Sequence, residues 1–214
     1  MRLSLTKKQW LLLSPFIMVL SGHLVARITS SFMGKWAFIP VMLNLWLVAI
    51  FFTYLADGSN RIKDWLKPVK GKIGWKVMVM VVGLLPLPLF IMHWELLKPI
   101  EILVPYLLIA FINPFVEEFY WRGTLMDTAS DWPKWGIILY STFFFALNHP
   151  MSLGVFSNLN SGFSVFTSTF IMGIIWGVGY HKIGSLRWII FSHFLVDTFN
   201  MSVPAFLDLF ESGF

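Results

Sequence analysis

The sequence predicts an all-α fold, a polytopic membrane helix bundle of about seven transmembrane helices with a short eighth helix near the C-terminal end. Three observations carry this. Of the 214 residues, 57% are hydrophobic and only 13% charged, too few polar side chains to cover the outside of a soluble domain. Several stretches are long enough to cross a hydrocarbon core of roughly 30 Å, which takes about 20 helical residues. Cysteine is absent, so neither disulfides nor thiolate metal sites contribute to folding.

The spans follow in order. Leu11–Ile28 is the first, and it reads as an anchor rather than a cleaved signal peptide, being long and lacking a small-residue cleavage pattern. Trp36–Ala56, "WAFIPVMLNLWLVAIFFTYLA", has no charge at all. The basic amphipathic stretch Asn60–Lys76 reads as lying on a membrane face rich in anionic lipid. Val77–His93 is the third span. Ile102–Val116, Trp135–His149 and Trp188–Val203 each carry or adjoin ionisable residues, while Phe163–Tyr180 has none. The short eighth helix falls near Pro204–Phe210.

Lysine and arginine placement gives the orientation. With the N-terminus inside, the inner segments hold Arg2, Lys7, Lys8, Arg61, Lys63, Lys67, Lys70, Lys72, Lys76, Lys134, Lys182 and Arg187. The outer segments hold Arg27, Lys35 and Lys98. This asymmetry fits an integral membrane protein with a cytoplasmic N-terminus. The net charge of +5 belongs to the loops and is no nucleic-acid footprint. No repeat or low-complexity tract divides residues 1–214, which form a single membrane domain. Residues 1–99 are N-terminal spans without motifs, and 100–203 are a motif-bearing core.

That core opens on "FVEEFYWRG", residues 115–123. Ionisable groups in hydrocarbon cost several kcal/mol and usually face a bundle interior or a wet cavity. Glu118 and Arg122, at i, i+4, can pair on one helix face. Glu117 lies about 100° round and cannot share that partner in the same way, which suits it to accept a proton. The alternative is one salt-bridge cluster of all three. Two histidines lie inside later spans. His149 ends "FFFALNH" with Phe145 one turn earlier, and His193, Asp197 and Asn200 form a polar stripe at i, i+4, i+7 on an otherwise apolar helix. His23, Arg27, His93, Glu95 and His181, the last in an inner loop, read as structural.

A glutamate, two histidines and an aspartate suit activation of water against a carbonyl. Glu117 would be the general base, with His149 holding the water. His193, with Asp197 or Asn200, would stabilise the oxyanion. No serine or cysteine stands in a nucleophile setting. The rival is zinc held by Glu117, His149 and His193 with a position left for water, although there is no HExxH.

"EEFYWR" fits EExxxR, "FALNH" fits FxxxH, and "HFLVD" fits HxxxB with B being Asn or Asp. In that order on late spans, they resemble the signature motifs of the CAAX prenyl proteases and bacteriocin-processing (Abi-type) intramembrane endopeptidases. The resemblance covers about Ile102–Asn200. It implies a membrane endopeptidase, glutamate-dependent or a metalloprotease, with Glu117 as the water-activating base assisted by His149. His193 and Asp197 then correspond to the oxyanion-stabilising pair, with Glu118, Arg122 and Asn200 supporting. No cofactor is required on the metal-free version. The partners implied are a membrane-associated peptide or protein substrate and the lipid bilayer, in peptide or bacteriocin processing or in self-immunity. A scaffold or immunity protein without cleavage, or a proton-coupled transporter, are the other classes. Eukaryotic CAAX enzymes carry an amide where this chain has Asp197. An ionised Asp197 beside an oxyanion would repel it, so Asp197 must be protonated, orient His193 as an acceptor, or leave donation to Asn200. For Glu117 and His149 to meet, the first motif helix must extend inward or the helices must tilt strongly. The expectation is a long helix from near Glu101 to near Ser130, kinked at Pro114.

Overall fold

The structure is a computed structural model that describes residues 5–210; Arg2 lies outside the described residues. Among them the elements are helical, with no strand. Helix α1 (Lys7–Met33) starts at a capping box in which Thr6 Oγ1 accepts from the Gln9 amide and the Gln9 side chain answers the Thr6 amide. A 3-10 turn, Gly34–Ala37, returns the chain as α2 (Phe38–Leu55). The basic stretch forms α3 (Gly58–Trp65) and a loop leading into α4 (Ile73–Leu84), which continues past a proline as α5 (Leu87–His93).

The long helix expected from the motif is present. α6 (Ile100–Glu118) passes through a π-helical segment, Phe119–Thr124, into α7 (Leu125–Thr128). α8 (Lys134–Ser152) carries His149 and continues through Pro150. The uncharged connection after it is ordered by a 3-10 turn at Leu153–Val155 and the short α9 (Asn158–Ser161). α10 (Phe163–Ile183) includes His181 in its last turn, so that residue is helical rather than in a loop. α11 (Arg187–Phe199) carries the last motif. α12 (Ser202–Phe206) is the short terminal helix, two residues earlier than its sequence placement.

Four runs are long and apolar enough to cross a membrane, namely Lys7–Leu55, Ile73–Leu97, Ile100–Thr128 and Phe163–Ile183. The first contains the α1–α2 hairpin. α8 and α11 fall outside this set, the latter at only 13 residues. Both spend apolar length on polar side chains that face inward. The protein is an integral membrane helix bundle. Phe16, Leu20, Leu24, Ile28 and Phe32 leave an exposed apolar stripe on α1 that needs lipid against it.

α8 packs between α1 and α10, while α11 packs between α4 and α6. Ion pairs sort the two ends. Lys7–Asp57 (2.5 Å), Lys8–Asp131 (2.6 Å) and Arg61–Asp127 (2.9 Å) gather the start of α1, α3 and the end of α7. At the other end Lys35 meets Asp208 at 2.9 Å and His23 Nδ1 meets the Met151 carbonyl at 2.7 Å. Segments that the charge pattern places on one side of a membrane thus share one end of the bundle.

Candidate active site

Asn113 and Glu117 are one turn apart on α6, so they share a face. Both are buried, and Glu118 behind them is fully so. The chain then enters its π segment, whose wider turn is a recurrent feature of functional sites. Arg122 sits within that segment and still reaches back, with Nη1 2.9 Å from Glu118 Oε1. Its guanidinium lies 4.4 Å from the Phe145 ring centre and 5.4 Å from that of Trp176. Two aromatic faces and one carboxylate therefore replace the water Arg122 has lost. Removing either partner of such a buried pair leaves the other charge stranded, at a cost of about 3–5 kcal/mol.

Glu118 Oε1 also accepts from His193 Nδ1 at 2.8 Å. A carboxylate oxygen fed by Arg122 acts as an acceptor, so His193 carries a proton on Nδ1 and turns Nε2 away. Nε2 stands 3.6 Å from both Glu117 Oε2 and Asp197 Oδ1. The imidazole is further fixed by Trp176, stacked at 4.7 Å with an interplanar angle of 23°. Trp176 is itself held by its Nε1 bond to Ser192 Oγ (3.0 Å). The two readings of the glutamate pair therefore divide between the residues. Glu118, Arg122 and His193 form the buried cluster, while Glu117 stands outside it on the far side of the ring.

His149 arrives on α8. Its Nδ1 lies 3.0 Å from the Phe145 carbonyl one turn back. A carbonyl only accepts, so Nδ1 donates and Nε2 is left to act elsewhere. The FxxxH spacing thus has two uses here: the Phe145 backbone orients His149, and its ring covers Arg122.

Glu117, His149, His193, Asp197 and Asn200 line one cavity of about 50 Å³, room for one or two waters at about 30 Å³ each. Asn200 reaches it from the exposed end of α11. His149, His193, Asp197 and Asn200 also border a second, mostly apolar cavity of about 690 Å³ between α4–α5 and α10, of a size with known ligand pockets. The helical run does extend past Glu117, through the π segment to Thr128. At 1.5 Å per residue, Glu117 lies about 17 Å from the end of the run at Thr128, and His149 about 22 Å from the start of α8.

Sequence reasoning missed Asn113, Asn148 and Asn160, which also line the small cavity, and Trp176 behind His193. Asn113 had a readable signal, an amide about one turn before Glu117 in an apolar run. Asn160 had none, because the loop after α8 brings it back. For zinc, no group of three His, Asp or Glu side chains among the described residues is set to hold a metal ion. With each Nδ1 held by Glu118 or by a carbonyl, Nε2 is the ring nitrogen left free on both histidines, an arrangement that metal-ligating histidines also use.

All three motifs fall within residues 99–199, which match the model of the family described as Type II CAAX prenyl endopeptidase Rce1-like. The resemblance drawn from the motifs is thereby shown. No curated protein and no solved structure matches the chain.

Proposed function

With residues 99–199 carrying the Rce1-like type II CAAX endopeptidase pattern, we propose that this chain is an intramembrane endopeptidase that uses water activated by Glu117. The observation that carries the proposal is the convergence of Glu117, His149, His193 and Asp197, from three helices, on one water-sized cavity beside a larger apolar one.

In this mechanism a water in the small cavity donates one hydrogen bond to His149 Nε2 and gives its proton to Glu117. Its oxygen attacks the scissile carbonyl. His193, carrying both ring protons, donates from Nε2 to the oxyanion while Glu118 holds Nδ1. The C–N bond then breaks, and the proton held by Glu117 passes to the departing amine. Asp197 holds His193 in place. Glu118 and Arg122 keep the ring in register without touching substrate. The apolar cavity takes the neighbouring part of the peptide, which enters sideways from the bilayer.

The proposal extends to the membrane arrangement. α1, α2, α4–α5, α6–α7, α8, α10 and α11 make seven crossings, with the N-terminus on the cytoplasmic side as the lysine and arginine asymmetry favours. The substrate is a membrane-associated peptide or protein. Bacteriocin processing or self-immunity is one biological setting for that chemistry.

The test uses membranes containing equal amounts of wild type and Glu117→Ala. A panel of tagged peptides is followed by mass spectrometry, including a farnesylated peptide ending in a CAAX tetrapeptide and a bacteriocin precursor. Cleavage by wild type alone, unchanged by a chelator, supports the metal-free endopeptidase. Intact peptides with both proteins would move the reading to a scaffold or transporter, and loss of cleavage with chelator would move it to a metalloprotease.

A further inference from the structure

Both ends of the buried Asn113 side chain are engaged. Trp46 Nε1, on α2, lies 2.8 Å from Asn113 Oδ1, and Asn113 Nδ2 lies 3.0 Å from Asp197 Oδ2. An amide's oxygen and nitrogen are hard to tell apart by shape, but here chemistry decides. An indole N–H only donates. The Asn113 oxygen must therefore face Trp46, and its NH₂ must face Asp197. Asp197 Oδ2 is then an acceptor. The other oxygen, Oδ1, is the one 3.6 Å from His193 Nε2.

We infer that Trp46 and Asn113 are positioning residues that pin Oδ2 of Asp197 as an acceptor and so aim Oδ1 at His193. Trp46 lies outside the family match over residues 99–199, so the N-terminal half of the chain helps to shape the site. The relay also selects among the roles open to Asp197. On its Asn113 side Asp197 cannot donate, which favours the orienting carboxylate. A hydrogen bond from Asn113 to Oδ2 leaves any proton on Asp197 to Oδ1. The hydrogen-bonded relay stands on geometry alone, whereas its effect on rate rests on the endopeptidase reading.

The swap experiment follows from the 3.0 Å contact. Asn113→Asp sets two carboxyl groups face to face. With the farnesylated CAAX peptide as probe, it should cut kcat by about ten- to a hundredfold with KM little changed. Adding Asp197→Asn should return the rate to that of Asp197→Asn alone, because one amide again faces one carboxylate. A core-packing role would show no such rescue. Trp46→Phe removes the donor while keeping an aromatic ring, and should lower kcat by several-fold through the loss of one buried hydrogen bond.

The same variants are read without substrate by NMR of protein labelled with ¹⁵N-tryptophan in detergent micelles. The Trp46 indole signal is identified by its absence in Trp46→Phe. It should move in Asn113→Leu, where no acceptor is left, and move in the opposite sense in Asn113→Asp with Asp197→Asn, where a carboxylate oxygen accepts it. A Trp46 signal indifferent to Asn113→Leu overturns the relay. A signal that responds in a protein that cleaves nothing keeps the relay and removes the endopeptidase reading. Normal cleavage by Trp46→Phe and Asn113→Asp, with the signal responding, overturns the positioning role.

Discussion

Adjacent glutamates 117 and 118 differ in their work because a helix turns about 100° per residue. Glu118 is walled in by Arg122 and His193, while Glu117 meets the cavity. Their substitutions should therefore fail differently. Glu117→Gln keeps shape and should lower kcat by about 10²–10⁴, the range for loss of a general base, with the melting temperature unchanged. Glu118→Gln should instead destabilise the bundle, because a neutral partner leaves Arg122 stranded, at a cost of up to about 3–5 kcal/mol. Differential scanning fluorimetry beside a peptide-cleavage assay separates the two. Arg122→Lys should resemble Glu118→Gln, since an ammonium cannot lie flat between Phe145 and Trp176.

At the scale of elements, the close approach of α8 and α10 depends on Gly173. A Cβ there would lie 2.7 Å from Thr142 Cγ2 and 3.3 Å from Arg122 Nη2. Gly173→Ala should cost about 1–3 kcal/mol by overpacking, and its melting curve should shift together with a fall in activity as Arg122 is displaced. The helices bearing the motifs were legible because ionisable side chains stand out against apolar runs, and Glu118–Arg122 pairing followed from their spacing alone. The run Ile100–Thr128 was legible because extension was one way for Glu117 and His149 to meet and no helix breaker stands between Gly123 and Ser130. The π segment at Phe119–Thr124 was not, since π turns leave no period of their own. Trp176 and Asn160 were invisible for a different reason. One sits on the plain span and the other in an uncharged loop, and only packing brings them to His193 and the cavity. The shortness of α11 also escaped sequence reading, because apolar residues continue past its end into α12.

For the whole molecule, charge sorting and tertiary contacts agree about which segments share an end. The non-motif half contributes directly, through Trp46 to Asn113 and through Lys35 to Asp208. Asp208 also accepts from Ser157 Oγ at 2.6 Å and from the Leu159 and Asn158 amides at 3.0 and 2.9 Å. Burial opposes its ionisation, but Lys35, Ser157 and the two amides outweigh it and hold the carboxyl below the usual carboxylate range. A carboxyl depressed on folding adds stability above its unfolded value of about 3.9, and that stability fades as pH falls through the lower folded value. Asp208→Asn should accordingly melt lower than wild type at pH 7, and the gap should narrow as the medium is acidified below about pH 4.

In the proposed mechanism Glu117, His149, His193 and Asp197 act on a single water as one unit. Groups that act as a unit are not additive in their losses. The direct measurement is kcat/KM of the reconstituted protein for Glu117→Ala, His149→Ala and the double variant on one cleaved peptide. The double variant should be no slower than Glu117→Ala alone. Losses that multiply, or cleavage by Glu117→Ala at the wild-type rate, would contradict it.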